Sequence, residues 1–300
     1  MRGAQPLAQW LIANPLNSVL GLALSLLLPF SQIFAGATMT VIVLSSGLIR
    51  SATYGGVAAG LVVALSWLFG SAPVTVALNA AIYWVPAVIL AGLLARTRSL
   101  VLTIRLAVVF ALVATLMLPL LVGDPVVFWK AQIVEVAAAF EQLGLQPQAD
   151  TLLAQQDALA PQMTVLVIAS AASMALLILA LGYWLYQALP EKSGAFGRFS
   201  DLNMGRVLAV LAAVASAVAL LSGVSWLQDF AFVGLALFWL QGLAMLHWLR
   251  VEGPLPVGVL IVIYGLLPVL NVLLVLALAA LGYSDAWFDY RARIKKKRKG

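Results

Sequence analysis

The chain has 300 residues, of which 64% are hydrophobic and only 9% charged, whereas soluble domains carry about 25% charged residues. Its net charge of +6 arises in one place: Arg291, Arg293, Lys295, Lys296, Lys297, Arg298 and Lys299 supply more positive charge than the total, so the body of the chain is close to neutral. There are no cysteines, which excludes disulfides, thiol nucleophiles and thiolate metal sites.

Charged residues are absent from 3–49, 51–95, 106–123, 158–190, 207–228, 230–249 and 253–284. A helix rises 1.5 Å per residue, so about 20 apolar residues cross a ~30 Å hydrocarbon core. Each of the first two stretches can hold two membrane segments, and each of the others about one. Within lipid every backbone polar group must be bonded internally, leaving helices or a closed barrel. A barrel needs alternating apolar and polar residues, yet Leu106–Leu121 carries Thr115 as its one hydroxyl. The expectation is an all-α, polytopic transmembrane helix bundle of eight or nine segments, forming a single integral-membrane domain over 1–300.

In chain order the expected segments are 16–34, 35–49, 54–70, 74–94, 101–121, 162–187, 205–222, 229–249 and 256–281. Arg2, the apolar run Val19–Phe30 and Ala35-Gly36-Ala37 resemble a secretory signal superficially. The many spans that follow favour an uncleaved first segment. With a cytoplasmic N-terminus, Arg2, Arg50, Arg96, Arg98, Lys192, Arg198, Arg206 and Arg250 fall in inside connections, and Arg105 can snorkel to the same interface. The outside connections receive Lys130 with Asp124, Glu135, Glu141, Asp150, Asp157 and Asp229. That asymmetry predicts the orientation, because Lys and Arg set topology while acidic residues contribute little. A single crossing by 256–281 would place the basic tail (286–300) outside. Pro268 disrupts that segment, so a broken or re-entrant hairpin with a cytoplasmic tail is expected. The tail itself reads as a cytoplasmic stop and a lipid anchor.

Residues 124–160 form the one sizeable extracytoplasmic stretch. Asp124 suits an N-cap and Pro125 the first helical position. Trp129, Ile133, Val136, Phe140 and Leu143 then recur with helical spacing, and Gly144 is the expected stop. A second short helix is expected after Pro147, with Pro161 opening the next span. The simplest reading of this amphipathic loop is an interfacial cap; a gate or a partner-docking surface is the sharper alternative.

Chemistry is sparse. No Asp, Glu or Lys falls at the centre of an expected span, which argues against proton- or sodium-coupled carriers. His247 is the single histidine and reads as a packing residue near a helix end. No phosphate-cradling loop and no nucleophile–base pair is visible. The expectation is therefore a non-enzyme without metal or cofactor, and without a nucleic acid partner. Gln32, Asn79, Gln241 and Asn271 are polar residues inside apolar runs, where each needs a partner. Asn79, Tyr83 and Trp84 lie within two turns, and Tyr264 and Asn271 are seven apart. Interhelical bonding explains all of them; the alternative is a ligand site formed by Asn79, Tyr83, Trp84, Gln241, Tyr264 and Asn271. Gly56-x-x-x-Gly60, Gly21-x-x-x-Ser25 and Ala213-x-x-x-Ala217 match the small-residue packing pattern.

Leu240-Gln-Gly-Leu-Ala-Met-Leu-His247-Trp-Leu-Arg250, Pro268, and Leu281-Gly-Tyr-Ser-Asp285-Ala-Trp-Phe-Asp289-Tyr-Arg291 resemble the closing signature of the YybS-like family of uncharacterised bacterial multispanning membrane proteins. The resemblance implies a bacterial inner-membrane location. Residues 17–98, with Pro29, Gly47, Gly55-Gly56, Gly60, Asn79, Pro86, Gly92 and Arg96, are more distantly similar to substrate-binding membrane subunits of energy-coupling-factor transporters. Those subunits typically have six spans and lack such an outside loop. In that family a small-residue helix face docks a partner subunit, and separate chains supply ATPase activity. The implied function is the substrate-binding membrane component of a small-molecule uptake system lacking its own ATPase. The alternatives are a scaffold or assembly factor, binding partners through the outside loop and basic tail, and a lipid-handling protein with Trp129 and Phe140 at its mouth.

Overall fold

The computed structural model describes residues 3–68, 73–190, 192, 194–253, 255–266 and 271–299, with backbone alone at 73, 271 and 297–299. Arg2, Glu191 and Pro268, and the side chains of Asn271, Lys297, Arg298 and Lys299, thus lie outside the described residues. Among those described there is no strand. The helices are α1 (Gln5–Ala13), α2 (Pro15–Leu26), α3 (Ser31–Ser46), α4 (Leu48–Leu68), α5 (Pro73–Thr97), α6 (Leu100–Val122), α7 (Pro125–Gln142), α8 (Gln146–Ala154), α9 (Gln156–Gln187), α10 (Gly205–Ser222), α11 (Ser225–Leu237), α12 (Trp239–Glu252), α13 (Val257–Leu266), α14 (Asn271–Phe288) and α15 (Tyr290–Lys299). Among the described residues six helical stretches are long and apolar enough to cross a membrane, and up to eight if two bent helix pairs each count as one span. The protein is membrane-embedded and helical.

The chain forms two compact units, Met1–Ala107 with Ser173–Phe199, and Val108–Ala172 with Ser200–Gly300. In the first, α3 is the central element: Ala35 through Val43 are all buried. Gly36 and Gly182 permit its approach to α9, since a Cβ on Gly36 would lie 2.6 Å from Ile178 Cγ2 and one on Gly182 2.8 Å from the Ala37 carbonyl. Around α3 pack Leu22, Ala58, Val62, Ala80, Trp84 and Ala87.

The first expected segment, 16–34, is divided in the structure. The chain turns by 118° between α1 and α2, with Asn14 capping α2 through a 2.8 Å bond from the Asn17 N–H. A second break follows at Leu27–Phe30, where Phe30 is left-handed at φ 57°. At 12 residues, α2 rises about 18 Å, too little to cross a ~30 Å core. Pro161 does not open α9 but lies within its 32 residues. It interrupts only the bond to Asp157, near the N-terminus where helical bonding is incomplete.

In the second unit, Asp124 caps α7 by accepting from the Val126 and Val127 N–H groups, and Gly144 ends this region at φ 75°. Ile133 is buried, whereas Val136 and Leu143 are 47% and 73% exposed, so the expected stripe is only partly covered by its own chain. Trp129 Nε1 donates to Thr164 Oγ1 at 2.9 Å, and the Thr164 hydroxyl in turn bonds to Asp229. This tether joins α7, α9 and α11. Along α10 the buried alanines are Ala209, Ala212, Ala215 and Ala219; of the expected small-residue pair, Ala213 is partly buried and Ala217 exposed.

Of the expected segment 256–281, α13 and the first part of α14 are described, and residues 267–270 between them lie outside the described residues. After α14 the chain bends by 62° into α15. Lys295 Nζ then lies 3.3 Å from Glu252 Oε2 at the end of α12, and 5.5 Å from the Trp248 ring. Consequently α15 returns to the end of the second unit that holds Glu252.

Candidate functional site

Among the described residues the buried charged side chains, Asp285 and Arg291, lie where α12, α14 and α15 meet. Two glycines bring α12 and α14 together. A Cβ on Gly242 would strike the Leu278 carbonyl and lie 2.8 Å from its carbon, and one on Gly282 would strike the Phe238 carbonyl and lie 2.6 Å from Gly242 N. The neighbouring polar side chains therefore face each other at short range. Gln241 is fully buried and Asp285 is 1% exposed. The Gln241 amide is used at both ends: Oε1 accepts from the Met204 N–H at 2.7 Å, and Nε2 donates to Asp285 Oδ2 at 2.9 Å.

The third member arrives from α15. Asp289, at φ 46°, donates its N–H to the Asp285 carbonyl at 2.9 Å and caps α15 by accepting from the Ala292 N–H at 3.3 Å. That bend directs Arg291 inward, leaving it 9% exposed. Its Nη1 donates to the Ser200 carbonyl at 2.7 Å, in the 3-10 turn Phe199–Asp201, and its Nη2 lies 3.4 Å from Asp285 Oδ2. Asp201 and Asp289 also act electrostatically on the guanidinium. Asp285 Oδ1 and Arg291 Nε and Nη2 are buried without a hydrogen-bond partner.

Chemically the cluster is an acceptor, an amide relay and a cation, with no hydroxyl or thiol nucleophile among the three side chains. It clamps four backbone segments by charge and hydrogen bonding. Its members escape local reading. Gln241 stands out as a polar residue in an apolar run, but Arg291 is indistinguishable from the other tail cations, and Asp285 falls just beyond the charge-free stretch. The available signal is the pairing of glycine with a polar residue on both helices, Gln241-Gly242 and Gly282-x-x-Asp285.

The residues expected to form a ligand site divide between the units. In the first unit Asn79 is exposed, Tyr83 is partly buried against the α3–α4–α5 core, and Trp84 is 7% exposed. Trp84 packs beside Met39 and Gly55, where a Cβ would lie 2.9 Å from Met39 Cε, and its indole N–H is buried without a partner. In the second unit Gln241 is committed to the clamp, while the Tyr264 hydroxyl and His247 Nε2 share a 2.9 Å hydrogen bond. None of these five lines the described apolar cleft between Leu112, Leu211, Phe230, Gly234 and Phe238, whose roughly 10 Å³ holds about one water. Among the described residues no group of three His, Cys, Asp or Glu side chains could hold a metal ion.

No family model, curated protein or solved structure matches this chain.

Proposed function

We propose that this chain is the substrate-binding membrane component of a small-molecule uptake system, embedded in a bacterial inner membrane and energised by ATPase chains separate from it. The supporting observation is the bare face of α4. A Cβ on Gly56 or Gly60 would meet nothing within 4 Å, and Val57 and Leu61 beside them are 55% and 40% exposed. Gly21, Gly36, Gly182, Gly242 and Gly282, by contrast, are all closely approached by the chain itself. In lipid, where apolar tails give no drive to bury leucine, small-residue gaps are filled best by another helix. The gap on α4 fits a partner subunit. Trp84, with its buried and unpartnered indole N–H, and Tyr83 are the ligand-facing candidates in the same unit.

Native mass spectrometry on gently extracted protein tests this reading. A stoichiometric ATPase partner and a retained small molecule are expected. Gly56→Leu with Gly60→Leu should lower partner recovery roughly tenfold or more while leaving the fold intact. Consistent failure to recover an ATPase across mild extractions counts against the proposal. A second reading, a scaffold that binds through its 124–160 loop and tail, draws on the exposure of Val136 and Leu143. It predicts a different partner, retained by the glycine variant and lost in Val136→Ser with Leu143→Ser.

In the proposed orientation the N-terminus, Arg250 and α15 are cytoplasmic and α7 is outside, following the Lys/Arg asymmetry and the contact of Lys295 with Glu252. Because the chain has no cysteine, single introduced cysteines report sidedness directly. An impermeant thiol reagent should label Gln142→Cys in intact cells, and Lys296→Cys only after permeabilisation. External labelling of Lys296→Cys would overturn the return of the tail.

A further inference from the structure

The bend at Asp289 sorts the basic tail by helix face. Arg291 points into the protein and meets Asp285 and Ser200, while Lys295, one turn on along the same face, stays 55% exposed and reaches Glu252 at the surface. Arg293 and Lys296 are exposed, and the Arg293 guanidinium stands 5.6 Å from the Phe288 ring. With α15 turned 62° away from the line of α14, the helix leaves the direction of a membrane crossing at the point where α14 ends. A short helix with an apolar-to-basic transition in this position meets the headgroup layer.

We propose that α15 is a strap operated by anionic lipid: headgroups held by Arg293 and Lys296 keep Arg291 and Lys295 docked against the second unit. The inner attachment is finely balanced. Burying Asp285 and Arg291 removes both from water; in return they gain one 3.4 Å ionic contact and a hydrogen bond each, to Gln241 Nε2 and to the Ser200 carbonyl, while Asp285 Oδ1 and Arg291 Nε and Nη2 make no hydrogen bond. A buried ion pair so incompletely bonded contributes little net attraction. Two basic residues at an anionic surface shift a docking equilibrium by roughly 30-fold, enough to decide it. The strap therefore couples lipid charge to the Gln241–Asp285–Arg291 clamp, and so to the packing of α12 against α14. This inference requires membrane embedding alone and is independent of any partner at α4.

The test compares thermal unfolding, followed by tryptophan fluorescence, in nanodiscs of zwitterionic lipid and in nanodiscs with about one-third anionic lipid. Wild type should unfold at a higher temperature in the anionic discs, and added salt should erase the increment. Arg293→Gln with Lys296→Gln, which alters exposed positions alone, should lose the increment while matching wild type in zwitterionic discs. Arg291→Gln should lose it too, with the outer charges intact; if that variant fails to fold, Lys295→Gln tests the same inner face. A wild-type midpoint that is unchanged or lowered by anionic lipid overturns the proposal. So does a full increment in the outer-face variant, or in every folded inner-face variant.

Discussion

Replacing Asp285 by alanine is expected to destabilise the protein by about 3–5 kcal/mol, the range for removing one partner of a buried ion pair. The variant leaves Arg291, 9% exposed, without its nearest carboxylate and deprives Gln241 Nε2 of its acceptor. Asp285→Asn should fall between alanine and wild type, because an amide oxygen still accepts from Gln241 while the charge is lost. The informative comparison is the double variant Asp285→Leu, Arg291→Met, which removes both charges and replaces them with apolar volume. Such replacements are often neutral or stabilising, so this protein should recover most of the loss. Thermal midpoints in one detergent decide the matter. A loss below about 1 kcal/mol in Asp285→Ala, the range of solvated surface pairs, would show that the pair is hydrated and does not act as a clamp.

What the sequence reveals, and what it conceals, follows from the range of the forces involved. Hydropathy is local, so the helical and membrane-embedded character is legible, as are elements with clear punctuation. The expected segment 205–222 coincides with α10, and Asp124-Pro125 starts α7 as its capping chemistry requires. The break at Leu27–Phe30 is marked by Pro29 but invisible to hydropathy, because the stretch carries no charge on either side; lipid tolerates both halves, and the charge pattern records tolerance, not direction. The register of small residues on α10 was similarly hidden, since alanine recurs too often there for composition to select Ala212 over Ala213. The clamp is concealed for another reason. Gln241 and Asp285 are 44 positions apart, and Arg291 and Ser200 are 91 apart. No window along the chain brings them together.

The two glycines at the centre of that crossing carry the second large expectation. Gly242→Ala and Gly282→Ala should each destabilise the protein strongly, by at least the ~1–3 kcal/mol typical of overpacking. In both cases the obstacle is backbone: the Leu278 carbonyl for Gly242, and the Phe238 carbonyl with Gly242 N for Gly282. A side chain can rotate away from an added methyl, but a helix backbone can yield only by moving the whole element. Separating α12 from α14 also lengthens the Gln241–Asp285 bond, so the packing and polar contributions are lost together. Gly56→Ala and Gly258→Ala serve as controls, because their Cβ atoms would meet nothing within 4 Å. Alanine is the better helix former by about 1 kcal/mol, so these should be neutral or stabilising in the isolated chain. If the Gly242 and Gly282 variants behave like the controls in thermal unfolding, the α12–α14 crossing is looser than its geometry requires. If the two classes separate, the close backbone approach is what holds the buried carboxylate in place.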